Sequence, residues 1–83
     1  MKSVNFKVVN SDGLFDKGEV LAIIVQPSEQ LEAYQLFKKD SKVLSKQFIR
    51  TNTRNAKPKE IISLASHLTK LGIQYKQINS LKG

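Results

Sequence analysis

The stretch PKEIISLASHLTKLGIQYKQI, residues 58–78, decides the fold, because it changes from helical to extended patterning within one short segment. Pro58 suits the first position of a helix, where its missing N–H costs nothing. Gly72 is typical of the left-handed residue that ends a helix, and residues 73–78 are predicted to form a strand. Between them, apolar side chains recur at helical spacing at Ile61, Leu64, Ala65, Leu68 and Leu71.

The N-terminal part of the chain is predicted to form a β-hairpin. Residues 3–9 alternate between apolar and polar side chains, which indicates a half-buried strand. Residues 20–25, VLAIIV, are apolar without alternation, which is typical of a central strand covered on both faces. The turn-forming residues between the two strands predict a connection in which Phe15 closes one end of the core.

The middle of the chain is predicted to contain a helix and then a short strand. Ser28 is a suitable N-cap, and the helix is expected to end near Asp40 or to continue through residues 43–44. Its apolar stripe comprises Leu31, Tyr34 and Phe37. The β-branched and aromatic residues of segment 47–53 predict a strand.

The predicted element order is strand, strand, helix, strand, helix, strand. This order favours an α+β fold, a two-layer sandwich in which two helices lie across a mixed or antiparallel sheet of about four strands. Residues 1–83 are expected to form one domain. If both helices lie on a single face, a homodimer partner or another protein would cover the other face; otherwise the apolar second strand is buried within its own domain.

Basic side chains are concentrated in the second half of the chain, although the net charge of the whole is +7. Residues 1–37 carry three bases and five acids, whereas residues 38–83 carry eleven bases and two acids. Twelve of the fourteen bases are lysines, which act as flexible point charges and suit phosphate attraction better than base reading. The alternative is that these lysines simply solvate the surface.

The composition argues against catalysis and against a bound cofactor or metal. Cysteine is absent, which excludes a disulfide, a thiolate metal site and a cysteine nucleophile. His67 is the single histidine and cannot form a zinc site alone. The longest apolar run is residues 20–25, far short of the roughly 20 residues that span a bilayer. The expectation is a non-enzymatic protein without cofactor, metal or membrane contact, located in the cytoplasm.

The best candidate for a binding site is the segment from residue 46 to residue 59. Its cations would release counterions from a nucleic acid, and its amide and hydroxyl side chains would donate hydrogen bonds to phosphate oxygens. The segment also leads into a helix N-terminus, which attracts anions. The predicted site residues are Lys46, Arg50, Asn52, Thr53, Arg54, Asn55, Lys57 and Lys59. The alternative is a solvated loop between two elements.

Other side chains could extend such a site. Phe48 or Tyr75 could stack on an unpaired base if exposed, although a core position suits both. A second basic cluster comprises Lys38, Lys39 and Lys42, for which the predicted helix C-terminus is a sufficient local explanation.

Two functions fit these observations. The first is a small nucleic-acid-binding protein that contacts the phosphate backbone of DNA or RNA with weak sequence preference. The second is a protein-binding module, or a small inhibitor or regulator, that docks a basic surface or a sheet edge on an acidic partner protein.

Overall fold

A computed structural model describes residues 1–81, which form six strands and two helices. The predicted α+β class and the number of helices are therefore confirmed, although only α2 lies where a helix was predicted. The helices are α1 (Lys46–Asn52) and α2 (Pro58–Lys70). The strands are β1 (Lys2–Val9), β2 (Val20–Val25), β3 (Gln30–Gln35), β4 (Lys42–Ser45), β5 (Thr53–Asn55) and β6 (Tyr75–Gln77).

All six strands belong to one sheet, in which β1 and β2 are central. The order is β4-β3-β2-β1, and the remaining edge of β1 is shared by β5 and β6. β5 pairs with the C-terminal part of β1 and β6 with its N-terminal part. Every pairing is antiparallel except that of β6, which runs parallel to β1. The sheet therefore has six strands rather than the predicted four, and the element order differs from the predicted one.

The predicted helix after Ser28 is wrong, because β3 occupies its centre. Leu31 and Ala33 are fully buried, whereas Glu32 and Tyr34 on the opposite face are less buried, so burial alternates with the period of a strand. The apolar residues in this segment match both the helical and the strand period. Pairing with β2 and β4 satisfies the backbone on both sides and decides between the two. The Ser28 hydroxyl accepts the N–H of Gln30 in a turn.

The predicted strand over residues 47–53 is also wrong for most of its length. α1 begins after Ser45, whose hydroxyl accepts the backbone N–H of Phe48 at 3.1 Å as an N-cap. Ile49 is the buried residue of this two-turn helix. A strand begins only at Thr53, where β5 pairs with the end of β1.

The two helices cover opposite faces of the sheet, which corrects the predicted two-layer arrangement. Alternate residues of β2 belong to different apolar clusters: Leu21 and Ile23 pack with Ile49 of α1, whereas Ala22 and Ile24 pack with the buried residues of α2. β2 is therefore covered on both faces, as its unbroken apolar run predicts. The uncovered face that would require a dimer partner does not occur over the described part of β2.

The last part of the chain returns to the sheet and then crosses the α1 side. α2 and β6 confirm the prediction for residues 58–78 closely. After β6, Leu81 is buried in the apolar cluster that contains Ile49 of α1; residues 82 and 83 lie outside the described residues. Within residues 1–81, neither helix has the length and apolar character needed to cross a membrane.

Candidate nucleic-acid interface

The predicted binding segment winds around one edge of the sheet, from α1 on one face to α2 on the other. In the antiparallel register, Arg54 lies opposite Val8 and Asn55 lies opposite Lys7. Because neighbouring residues of a strand point to opposite faces, Arg54 lies on the α2 side and Asn55 on the α1 side. The eight predicted residues are thus divided between two faces of the sheet.

Asn52 and Thr53 are engaged in closing the C-terminus of α1. Thr53 is buried, and its hydroxyl donates to the carbonyl oxygen of Ile49. The Asn52 amide donates to the Phe48 carbonyl oxygen at 3.2 Å, and its side-chain oxygen accepts the Ser11 hydroxyl at 3.1 Å. These bonds give both side chains a role in the fold; that they also orient phosphates stays a prediction.

Arg54 is paired with a carboxylate. Its Nη1 and Nη2 atoms donate to the two carboxylate oxygens of Glu60 at 3.1 and 3.0 Å, and Nη1 also donates to the Asn55 carbonyl oxygen. This is the one ion pair among residues 1–81. The bond to Glu60 raises the pKa of Arg54 further, so the guanidinium stays charged while its charge is compensated.

Glu60 also occupies the N-terminus of α2, which the sequence suggested as an anion site. Its carboxylate accepts the backbone N–H of Lys57 at 2.8 Å. The Arg54 side chain first, and then this backbone bond, lower the pKa of Glu60 to about 2. A carboxylate three residues after the helix N-cap is a known capping position, so the spacing of Lys57 and Glu60 could have revealed this role.

The other predicted cations have no carboxylate partner within residues 1–81. Arg50, on α1, and Lys57 and Lys59, at the start of α2, are exposed, whereas Lys46 is half-buried. The remaining predicted residue is Asn55, whose amide donates to the Asn79 carbonyl oxygen at 3.3 Å.

Lys7 is a candidate that the sequence analysis did not single out. It lies directly opposite Asn55 in the register and is half-buried on β1, and burial lowers the pKa of its ammonium group. No carboxylate lies within ion-pair distance of it in the described part of the chain. The alternation of residues 3–9 places Lys7 on the polar side of the strand, but its neighbour on β5 follows only from the register.

We call five cations near this edge of the sheet the basic edge; by register Lys7 and Lys76 lie on the α1 face, whereas Lys57 and Lys59 begin α2 on the other face. The set is Lys7, Arg50, Lys57, Lys59 and Lys76. All five lie on β1, on β6, or on the helices that flank β5; Lys76 lies opposite Ser3 in the β6 register. Ala56 keeps the start of α2 close to β1, since its N–H donates to the Phe6 carbonyl oxygen at 3.0 Å.

Acidic side chains are placed mostly elsewhere. Apart from Glu60, which is paired, no acid lies on β1, β5, β6, α1 or α2 within residues 1–81. The other acids lie on β3 or in the connections before, between and after β2, β3 and β4: Asp12, Asp16, Glu19, Glu29, Glu32 and Asp40. The β1–β2 connection, which carries three of these acids, is hydrogen-bonded to Asn52 at the α1–β5 junction, so the charges are only partly separated across the sheet.

The two aromatic residues considered for base stacking are packed against other rings. Phe48 is half-buried with its ring centroid 6.3 Å from that of Phe15. Tyr75 is half-buried and stands edge-on to Phe6 at 5.8 Å. Neither presents an open ring face of the kind that stacks on a base.

The second basic cluster lies on a turn between two strands. Lys38 and Lys39 follow β3, and Lys42 begins β4 with its ammonium nitrogen 5.2 Å from the centroid of the Phe15 ring. Because no helix ends there, the helix-dipole explanation for this cluster is wrong.

No protein-family model, curated protein or solved structure matches this chain. Within residues 1–81, no group of three or more histidine, aspartate or glutamate side chains is arranged to hold a metal ion.

Proposed function

We propose that the protein is a non-enzymatic nucleic-acid-binding protein that contacts phosphates through the basic edge. The observation that carries the proposal is the placement of five cations, without carboxylate partners in the described structure, along the β1–β5–β6 side. Lys7 is the most distinctive of the five, because its ammonium is partly desolvated and has no carboxylate partner within residues 1–81. A phosphate oxygen would compensate that charge.

The proposed interface is narrower than the segment that the sequence suggested. Arg54, Asn52 and Thr53 support the fold through the bonds described above, so phosphate contact falls to the lysines and Arg50. Lysine attracts phosphate as a point charge and does not offer the planar fork that reads guanine. The interface is therefore expected to bind many sequences with similar affinity and to weaken steeply with salt.

The test is the salt dependence of binding to a labelled DNA duplex, followed by fluorescence anisotropy. The double variant Lys57→Gln/Lys59→Gln removes two cations of the basic edge. If both contact phosphates, the slope of log K against log salt decreases by about two in magnitude, since each contact on B-DNA contributes about 0.9. The matched control is Lys38→Gln/Lys39→Gln, which changes the net charge equally on the turn between β3 and β4, at the other edge of the sheet.

The outcomes separate a local interface from a general charge effect. A reduced slope for the α2 variant alone supports the basic edge. Equal reductions in the two double variants would show that only net charge matters, and an unchanged slope in the α2 variant would remove Lys57 and Lys59 from the interface. Parallel titrations with single-stranded DNA, duplex RNA and single-stranded RNA identify the preferred nucleic acid.

A second candidate function, docking on an acidic partner protein, is supported by a different surface. An apolar groove with lysines on its rim lies between the β3–β4 turn and α2. The groove contains none of the residues of the basic edge, so the two candidate functions can be tested with separate variants.

A further inference from the structure

The groove is built from the turn after β3 and the outer side of α2. It has a volume of about 460 Å³ and is lined by Leu36, Phe37, Ile62, Ser66, His67 and Lys70. Phe37 is 86% exposed and Ile62 is 68% exposed, which makes them two of the most exposed large apolar side chains in residues 1–81. An apolar pair of this kind, rimmed by polar groups, is typical of an interaction surface.

Phe37 combines two unfavourable features. The N–H of Lys38 donates to the Gln35 carbonyl oxygen at 3.3 Å, which closes a turn with Phe37 at its third position. The φ angle of Phe37 is +64°, a left-handed conformation that turns of this kind normally reserve for glycine or asparagine. The chain therefore presents a bulky ring to solvent at a position where its backbone is strained, and such strain tends to accompany function.

His67 fixes this turn to α2. Its Nε2 atom lies 2.6 Å from the carbonyl oxygen of Lys38, so Nε2 carries the proton and donates it in the hydrogen bond. The bond joins the residue after Phe37 to the helix that carries Ile62. Both walls of the groove are thus held in place before any ligand arrives, which lowers the entropic cost of binding.

The charge around the groove selects an acidic ligand. Lys70 lines it, and Lys38 and Lys39 lie on the adjoining part of the turn. No carboxylate is among the lining residues of the groove; Asp40, on the far part of the turn, is the nearest acid in sequence to Phe37. A ligand with an apolar side chain flanked by carboxylates would complement both the lining and the rim.

The shape of the groove favours a protein segment over a nucleobase. A base would stack on the exposed Phe37 ring alone, whereas the aliphatic side chains of Leu36 and Ile62 line the same groove and complement an apolar side chain better. Concave apolar surfaces with a few polar groups typically accept side chains. From these observations we infer that the Phe37–Ile62 groove docks an acidic protein segment through a large apolar side chain. This inference rests on the second candidate function.

The experiment is selection of random twelve-residue peptides displayed on phage against the whole protein. The expected result is enrichment of peptides that carry leucine, phenylalanine or tryptophan beside aspartate or glutamate. Selected peptides, synthesised with a fluorescent label, should lose at least tenfold in affinity for the variants Phe37→Asn and Ile62→Ser. The matched control is Leu14→Asn, which replaces another exposed apolar residue, 61% exposed, on the β1–β2 connection.

Thermal unfolding distinguishes a role of Phe37 in binding from a purely structural role. Because asparagine tolerates the left-handed conformation, Phe37→Asn should raise the unfolding midpoint by roughly 4 °C while it weakens peptide binding at least tenfold. A gain in stability together with a loss of binding identifies Phe37 as a residue retained for contact. Loss of both would indicate that the ring supports the fold, and would overturn the assignment.

The remaining outcomes of the peptide selection would contradict the inference that the groove docks an acidic protein segment. Failure to enrich any peptide would remove the second candidate function as a whole. Selected peptides that lack acids, or that bind Phe37→Asn unchanged, would remove the groove alone. If self-association, a single-stranded oligonucleotide or an anionic vesicle occupies the groove and prevents peptide binding, the groove would be assigned to that ligand. The proposal for the basic edge is unaffected by any of these results, since its test uses Lys57 and Lys59.

Discussion

The Arg54 guanidinium and the Glu60 carboxylate make two hydrogen bonds, 3.1 and 3.0 Å long, that connect β5 to the first turn of α2. Glu60 also accepts the Lys57 N–H, so one carboxylate serves both the ion pair and the helix N-terminus. The chain crosses from one face of the sheet to the other at this point. The pair thus stabilises the crossing and compensates the charge of an arginine beside the proposed phosphate-binding surface.

The first prediction concerns the pH dependence of stability. The pKa of Glu60 is about 2 in the folded protein, whereas an unperturbed glutamate has a pKa of about 4.3. The contribution of the Glu60 carboxylate to the free energy of unfolding is therefore complete above about pH 4.3 and is lost as the pH falls toward 2. Thermal unfolding of the wild type and of Glu60→Gln should differ most at neutral pH and converge over that range.

The control for this prediction changes the other partner. In Arg54→Gln the largest cause of the lowered pKa is removed, so an NMR titration should show the pKa of Glu60 moving upward. Wild-type and Glu60→Gln stability curves that remain parallel between neutral pH and pH 2 would contradict the assignment.

The second prediction compares two buried polar side chains on the α1 side. Asn5 is 1% exposed, and its Nδ2 atom has no hydrogen-bond partner in the described structure. An unpaired buried donor costs about 1–3 kcal/mol, so Asn5→Leu should raise the free energy of unfolding by about 1 kcal/mol. In urea denaturation this appears as a higher midpoint with an unchanged slope.

Thr53 provides the comparison, because its buried hydroxyl has a hydrogen-bond partner. Its bond to the Ile49 carbonyl oxygen closes α1, so Thr53→Val should lower the free energy of unfolding by about 1 kcal/mol. Opposite signs for the two substitutions are the expected result. Destabilisation by both would show that Asn5 is held by an interaction that its buried Nδ2 atom does not reveal.

The sequence predicts correctly those elements whose apolar residues favour one type of secondary structure. Residues 20–25 and 58–70 are correct because a short run rich in β-branched residues that ends before Pro27, and a five-member helical stripe, each favour one type of element. Around Leu31 the sequence predicts a helix where a strand forms, and around Phe48 it predicts a strand where a helix forms. The apolar residues of both segments fit both periods. There the pairing of β3 with two neighbouring strands and the Ser45 cap decide, and the first of these is a long-range effect.

For the candidate interface, the sequence predicts the excess of positive charge but not which basic side chain pairs with a carboxylate. The excess of bases after residue 37 is plain in the sequence, but the pairing of Arg54 with Glu60 depends on how β5 meets α2. Lys7 entered the basic edge only through its register with Asn55. Phe37 was assigned to a buried helical stripe, and its exposure follows from the turn that replaces that helix.

The third prediction concerns the end of the described chain. Leu81 is 7% exposed and packs in the α1-side cluster, so Leu81→Ala should lower the free energy of unfolding by about 2 kcal/mol. Leu14→Ala is the matched control, because the same atoms are removed from a mostly exposed side chain. Equal, small effects in urea denaturation would mean that the segment after β6 does not contribute to the core.

The fourth prediction concerns Gly72, which ends α2. Its N–H donates to the Thr69 carbonyl oxygen and the N–H of Ile73 donates to that of Leu68, a pattern that requires a left-handed residue between them. The φ angle of Gly72 is +79°, and nothing lies within 4 Å of where a Cβ would stand. The cost of Gly72→Ala is therefore conformational rather than steric, and about 1 kcal/mol is expected in urea denaturation.

The matched variant is Gly72→Asn, since asparagine enters the left-handed region more easily than alanine does. It should lose less stability than Gly72→Ala although its side chain is larger. The reverse order would mean that space, and not the backbone angle, limits this position. Because Gly72 lies at the far end of α2 from Lys57 and Lys59, both variants should bind DNA with the wild-type salt slope, which separates helix termination from the proposed interface.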